Sequence, residues 1–207
     1  MLKVARVAGM AALALLASMA IAAPAASGPA SDAIRLVRER LKIAPVLKGD
    51  FEQTKTLKGF RNPLVSKGDF LVARGQGVRW HTRQPYETTL VVTPTRLYTR
   101  AADGSTTNVV DEDAAPGLRQ VNELVFAVLA ADLDLLADKF DVVAQPVGAA
   151  GWTLVLTPRD ANIARFMVRA TLSGERDVQT VRIEEARGDT TLIRFSHQMP
   201  TAMPVEE

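Results

Sequence analysis

The sequence contains no cysteine and only two histidines. Without cysteine the chain can form neither a disulfide nor a thiolate metal ligand, and it has no thiol nucleophile and no cysteine that could carry an N-terminal lipid anchor. His81 and His197 have no carboxylate or second histidine at ligand spacing, so the sequence predicts no metal site. We expect both histidines to lie in strands, on the outer face of a sheet.

Patterns typical of catalysis are also missing. Ser66, Ser105 and Ser173 lie beside predicted turns, without the strand–turn–helix context of a nucleophile elbow. Glu184 and Glu185 are neighbours in a predicted strand, so their carboxylates point to opposite faces and cannot act as an acid–base pair. The sequence therefore predicts no enzyme and no cofactor.

Charge of one sign is not in excess in the predicted mature chain. The whole sequence has 25 lysines and arginines against 23 aspartates and glutamates, and Lys3 and Arg6 fall in a leader, which leaves 23 of each sign. A neutral domain lacks the basic surface that a nucleic acid requires, so none is expected as a partner. Apolar residues make up 47% of the chain, which is enough for a folded core.

Residues 1–26 have the pattern of a secretory signal peptide. A basic start at Lys3 and Arg6 precedes a run of small and apolar residues, 7–21, that is short for a membrane span. Ala20-Ile21-Ala22 has the small-x-small pattern of a cleavage site, and cleavage after Ala25 or Ala26 is an alternative. We therefore expect export to the periplasm, with an uncleaved N-terminal anchor as the alternative.

The spacing of apolar residues divides the rest of the chain into helices and strands. Residues 31–44, 118–131 and 133–139 repeat apolar residues at helical spacing, and Ser31 can cap the first of these helices. Elsewhere short segments alternate with period two between glycine and proline turn signals. We count about ten strands and three helices, grouped rather than alternating, which predicts an antiparallel sheet of the α+β class.

Residues 68–99 are the most regular part of this predicted sheet, a meander of short strands. By alternation Phe70 and Arg74 fall on the same face of its first strand, so a cation is expected on the apolar face at a strand end. A strand predicted later in the chain places Phe166 and Val168 on its apolar face.

Four motifs, in chain order, are shared with a known family: Gly49-Asp50-Phe51-Glu52-Gln53, then Gly68-Asp69-Phe70-Leu71-Val72-Ala73-Arg74, then Trp80 with Pro85, and finally Trp152, Leu154, Leu156 and Pro158 at alternate positions. Together they resemble the LolA family of periplasmic outer-membrane lipoprotein carriers, over residues 33–195. The resemblance implies an open antiparallel half-barrel with the helices as a lid on its concave face. Residues 27–200 would then be a single lipid-carrier domain, followed by a short tail, 201–207.

The cavity that the resemblance implies would hold acyl chains, because each methylene removed from water contributes roughly 0.8 kcal/mol. On the sheet side we expect it to be lined by Phe51, Phe70, Val72, Trp80, Leu90, Val92, Trp152, Leu154 and Leu156. On the lid side we expect Val125, Phe126, Leu129, Leu133 and Leu136. For each residue taken alone, ordinary core packing is the alternative.

The resemblance also implies a role for Arg74, as a latch that bonds backbone groups of the lid and holds it closed. A solvent-facing arginine at a strand end is the alternative. Two departures from the family pattern stand out. Gly75 replaces the proline that usually follows this arginine, and the chain stops at residue 207 where the typical carrier continues into a segment that engages its inner-membrane donor.

The sequence thus predicts a monomeric periplasmic carrier that shields the acyl chains of lipoproteins, or of related lipids, between the inner and outer membranes. An inner-membrane release transporter and an outer-membrane acceptor are the partners that the resemblance implies. One alternative is a module that senses lipidated ligands on the same fold. Another is an enzyme acting on a hydrophobic substrate, which would require polar groups such as His81, Arg74 and Tyr86 to converge inside the cavity.

Overall fold

The computed structural model describes residues 29–93, 97–108, 127 and 133–201. Its main feature is one eleven-stranded antiparallel sheet, in the order β6-β5-β4-β3-β2-β1-β11-β10-β9-β8-β7. The strands are β1 Val46–Thr56, β2 Leu64–Ala73, β3 Gly77–Gln84, β4 Thr88–Val92, β5 Leu97–Ala101, β6 Thr106–Asn108, β7 Phe140–Val147, β8 Gly151–Pro158, β9 Met167–Gly174, β10 Val178–Glu185 and β11 Thr190–Thr201. The sheet does not close, which confirms the predicted α+β open half-barrel.

The described helices are α1 Pro29–Arg40, α2 Leu133–Lys139 and the single turn α3 Ala161–Ala164. Among the described residues, no helix is both long and apolar enough to cross a membrane. β1 is the central strand of the eleven and pairs with β2 on one side and β11 on the other. The first and last strands of the chain therefore meet, and the other strands extend from them on either side.

α1 buries one side against the sheet. Ala33, Ile34, Val37 and Leu41 are buried, and the helix packs on β7 and β8. Its end is tied down because the amide of Lys42 donates to the carbonyl of Arg176, 2.7 Å away. The helix was predicted to reach residue 44 but ends at Arg40, since the chain turns there to enter β1.

The predicted strand at residues 162–170 is wrong at its start. Asp160 caps a helical turn, with its Oδ1 accepting the amide of Asn162 at 2.7 Å, and β9 begins only at Met167. A register shift between β9 and β10 then leaves Val168 exposed, while Met167 and Ala170 are both buried. A bulge breaks the period of two, so simple alternation assigned Val168 to the wrong face.

The core lies on one face of the sheet, which we call the inner face. In β7 to β11 its most deeply buried part is a set of aliphatic side chains with at most 2% of their surface exposed. These are Leu154, Leu156, Ala170, Leu172, Val181, Ile183 and Ile193. Alternation along each strand gives this face its apolar character, and α1 and α2 complete the burial at β7 and β8.

Candidate functional site

Two copies of the tripeptide Gly-Asp-Phe pair with each other across β1 and β2. Gly49 lies opposite Phe70, Asp50 opposite Asp69, and Phe51 opposite Gly68. A Cβ on Gly68 would lie 1.9 Å from the carbonyl oxygen of His81 and 2.9 Å from the ring of Phe51. Only glycine leaves room there, so each phenylalanine ring lies against the glycine of the neighbouring strand and faces inward.

Phe51 and Phe70 belong to a cluster of four aromatic rings on the inner face. Phe51 stacks on Trp80 with 3.8 Å between ring centroids, although β2 separates their strands. Phe195 meets Phe70 edge-on at 5.3 Å and Trp80 edge-on at 6.2 Å. Gly68, on the strand between Phe51 and Trp80, has no side chain to hold these two rings apart. The cluster fixes the side chains of β1, β2, β3 and β11 in one rigid apolar surface.

The inner face beyond this cluster retains accessible apolar surface. Phe51, Phe70 and Val72 are buried, whereas Trp80, Leu90 and Val92 are only partly buried. Leu90 lies opposite Trp80 and Val92 opposite Val78, so β4 continues the apolar surface of β3. We call the inner face of β1 to β4 the aromatic half of the sheet.

A polar cluster bounds the aromatic half at one end. The ammonium group of Lys55 donates to both carboxylate oxygens of Glu185, at 2.9 and 3.0 Å, and the hydroxyl of Thr191 donates to one of them at 2.9 Å. These groups follow Phe51 along the same face of β1 and its neighbours. Because their charges and donors are paired with one another, the apolar surface ends there without an unsatisfied polar group.

The outer face of the same strands is charged, and the pairing of these charges was not predicted from the sequence. Asp50 and Asp69 are cross-strand neighbours, a placement that is unfavourable for like charges. Arg83 lies between them, 3.1 Å from Asp50 and 3.8 Å from Asp69, and each aspartate accepts a histidine Nδ1 at 2.9 Å, from His197 and His81 respectively. Arg83 thus offsets the repulsion between the aspartates, and each predicted outer-face histidine forms a hydrogen bond with one of them.

Further along this outer face, Glu52 pairs with Lys67 at 2.9 Å. The hydrogen bond from Lys67 and then its positive charge hold the pKa of the Glu52 carboxyl below its ordinary value, with a smaller contribution from Arg194. Within the described ranges, no group of three or more histidines and acidic residues is arranged to bind a metal ion. The outer face of these strands thus carries ion pairs between neighbouring strands.

Residues 43–205 match the family model described as outer membrane lipoprotein carrier protein LolA. The chain belongs to the LolA family. An outer-membrane lipoprotein carrier protein of Alcanivorax borkumensis is 28% identical over 164 residues, covering 75% of this chain and 72% of the relative. The resemblance predicted from the four motifs is thereby confirmed.

Two solved structures are also similar to this chain, each at 10% identity. A LolA superfamily protein from Nitrosomonas europaea aligns with a TM-score of 0.49, over 85% of this chain and 95% of that one. A putative outer membrane lipoprotein-sorting protein domain from Vibrio parahaemolyticus aligns with a TM-score of 0.47, over 86% and 95% of the two chains.

The structure divides the cavity residues expected from the LolA resemblance into two sets. Those of β1 to β4 form the aromatic half, whereas Trp152, Leu154 and Leu156 lie in β8 and are fully buried near α1. The indole of Trp152 donates to the carbonyl of Glu175 at 2.7 Å, so its polar atom is satisfied within the fold. The β8 residues therefore belong to the packed core as the structure describes it.

On the lid side, Leu133 and Leu136 are buried on α2, which packs against α1 and β7. An ion pair between Arg38 and Asp134, at 2.8 Å, also joins the two helices. Three other predicted lid residues, Val125, Phe126 and Leu129, lie outside the described residues. The lid assignment therefore stays a prediction for all five residues.

Arg74 directly follows the last residue of β2. The strand ends at Ala73, and Arg74 occupies a turn closed by the amide of Gln76, which donates to the carbonyl of Ala73 at 3.0 Å. The side chain of Arg74 is exposed, as in the solvent-facing alternative, and its amide donates to the carbonyl of Pro45 at 2.9 Å, one residue beyond the last pair of β1 and β2. The helix that it would latch lies largely outside the described residues, and the latch remains a prediction.

The glycine that replaces the usual LolA-family proline has a local explanation. Gly75 has a φ of +74°, in the left-handed region, whereas proline is restricted to a φ near −65°. Here the strand connection is a turn that needs glycine at its third residue.

The polar side chains that the enzyme alternative would bring together in the cavity lie apart. His81 is on the outer face, while Arg74 and Tyr86 are exposed at opposite ends of β3.

Proposed function

We propose that this LolA-family protein is a periplasmic carrier that shields the acyl chains of lipoproteins, or of related lipids, between the inner and outer membranes. The observation that carries the proposal is the aromatic half, where Trp80, Leu90 and Val92 keep apolar surface accessible beside a rigid stack of rings. Family membership and the name of the Alcanivorax borkumensis relative support it.

The aromatic half suits an acyl chain in its chemistry. The inner face offers ring faces and branched aliphatic side chains, and each methylene that leaves water against such a surface contributes roughly 0.8 kcal/mol. The charged groups at the end of this face, Lys55 and Glu185, are bonded to each other and so need no partner from a ligand. Such a surface binds a hydrocarbon without acting on it chemically.

The remaining parts of the proposal are the predictions made from the sequence. Residues 1–26 would direct export and be removed, and residues 27–200 would act as one domain and as a monomer. An inner-membrane release transporter would deliver the cargo, and an outer-membrane acceptor would receive it. The helices at residues 118–139 would cover the acyl chain, with Arg74 at the rim.

A direct test is to purify the mature protein without detergent and analyse its organic extract for acyl lipids by mass spectrometry. Binding of an apolar fluorophore, displaced by added lipid, gives a second measurement. Leu90→Asp should abolish both signals because it places a carboxylate on the inner face. Val91→Asp is a matched control, since Val91 lies on the outer face of the same strand, and it should bind normally. A wild-type protein that takes up neither lipid nor fluorophore would refute the proposal.

A further inference from the structure

One end of the sheet presents four large apolar side chains to solvent. Phe60 is 69% exposed, Leu64 58%, Val65 42% and Tyr86 81%. We call these four residues the apolar tip. Elsewhere on the described surface, exposed large apolar side chains are mostly single valines on strands, which need no explanation. Two aromatic rings and two aliphatic side chains at one end of a sheet are unusual enough to indicate an interaction.

The topology of the sheet brings the apolar tip together. β1 ends at Thr56 and β2 begins at Leu64, while β3 ends at Gln84 and β4 begins at Thr88, so both connections emerge at the same end. The last pairing between β2 and β3 joins Lys67 to Gln84. Leu64 and Val65 therefore extend past β3, toward the loop that carries Tyr86.

Phe60 lies in a turn whose backbone is hydrogen-bonded. The amide of Phe60 donates to the carbonyl of Leu57 at 3.1 Å, and Gly59 has a φ of +88°. This turn is also bonded to the β10–β11 loop, because the amide of Lys58 donates to Oδ1 of Asp189 at 2.9 Å. The exposed phenyl ring is thus carried on a turn that is anchored to the rest of the fold, which favours a role in binding.

The charge around Phe60 selects the kind of partner. Residues 57–65 carry Lys58 and Arg61 and no acidic residue. Of the nearby carboxylates, Asp189 accepts the backbone amide of Lys58, and Glu87 lies 3.3 Å from His81. Aromatic and aliphatic side chains flanked by cations are the combination that binds the boundary between anionic headgroups and acyl chains. A protruding turn, unlike a groove, inserts into a deformable layer.

We propose that the apolar tip docks the protein on the surface of an anionic lipid bilayer. Phe60 and Tyr86 enter the headgroup region, Leu64 and Val65 follow them, and Lys58 and Arg61 lie against lipid phosphates. This inference goes beyond the carrier function, because it concerns the end of the sheet at which the β1–β2 and β3–β4 connections emerge, and not the aromatic half. It also gives a carrier a defined orientation at the membrane from which it loads or to which it delivers.

Vesicle sedimentation tests the proposal with the mature protein and no cargo. Binding is compared on vesicles of phosphatidylethanolamine with phosphatidylglycerol and on vesicles of phosphatidylcholine alone, and we expect the anionic vesicles to bind more protein. Phe60→Ser should lower the partition coefficient about tenfold, as should Tyr86→Ser. Val143→Ser is the matched control, because Val143 is 56% exposed on the edge strand β7 and should not matter. Replacing Lys58 and Arg61 by glutamine should remove the salt dependence of binding.

Fluorescence gives an independent measurement of insertion. Phe60→Trp should show a blue-shifted emission with anionic vesicles and should be quenched by brominated lipids, whereas Val143→Trp should show neither effect. Wild-type protein that stays in the supernatant, or Phe60→Ser that sediments like wild type, would overturn the proposal, even if another protein then proves to bind the tip. The two proposals fail separately: lipid extraction tests the inner face, and vesicle binding of lipid-free protein tests the tip.

Discussion

Side chains alternate between inward and outward positions in both halves of the sheet, but the inward side chains differ in how completely they are buried. In β7 to β10, which we call the covered half, Leu154, Leu156 and Val181 are completely buried, with α1 and α2 lying over β7 and β8. In the aromatic half, Trp80 and Leu90 remain partly accessible beside stacked rings. The covered half resembles an ordinary core, so most of the folding free energy is expected there. The aromatic half retains apolar surface that a ligand can still bury.

The largest effect should come from deleting the same side chain in each half. Leu154→Ala removes a completely buried side chain and should lower the free energy of unfolding by about 2–5 kcal/mol. Leu90→Ala removes a partly buried one, so the loss of stability should be clearly smaller, while fluorophore binding should fall. Urea denaturation of both variants measures the first quantity. Equal destabilisation with unchanged binding would show that the two halves do not differ in role.

A second prediction concerns the pairing that builds the aromatic half. Gly68→Ala should destabilise the fold by about 1–3 kcal/mol, because the added Cβ would collide with the backbone of β3 and the ring of Phe51. The stacking of Phe51 on Trp80 should also change, which near-ultraviolet circular dichroism detects. Ser66→Ala is the control on the same face of β2, two residues away, and should leave both signals nearly unchanged. If Gly68→Ala left both the stability and the circular dichroism signal unchanged, glycine would not be required at this position.

Sequence alone predicted the inward faces well where a strand is regular. Phe70 and Val72, or Leu154 and Leu156, obey the period of two, which is a local property of the backbone. It could not predict which half the helices cover, because that depends on contacts between distant segments, such as α1 with β7. The cavity residues of β8 were therefore grouped with those of the aromatic half.

The errors arise where regular alternation stops. Arg74 lies one residue past the end of β2, where Gly75 and Gly77 mark a turn, so its predicted face and its role as a latch stay predictions. Val168 was assigned inward because a bulge has no signature in the residues around it. The repeated tripeptide Gly-Asp-Phe was a usable signal for the pairing of β1 with β2, since a glycine opposite each phenylalanine favours one register.

The smallest expected effect tests the outer face of the aromatic half, where an exposed pair joins β1 to β2. Lys67 lowers the pKa of Glu52 from its ordinary 4.5, first through a hydrogen bond and then through its charge. Because the pKa of Glu52 is lower in the folded state, the pair stabilises the fold at any pH above the pKa of Glu52 in the unfolded chain. This contribution disappears as the pH falls through the pKa of Glu52 in the folded state. A double-mutant cycle of Glu52→Gln and Lys67→Gln should therefore show a coupling energy at neutral pH that vanishes in acid and weakens in high salt. Coupling that persists in acid would mean that Glu52 and Lys67 interact through packing and not through charge. The aromatic half would then be held together across both of its faces by contacts that are insensitive to pH.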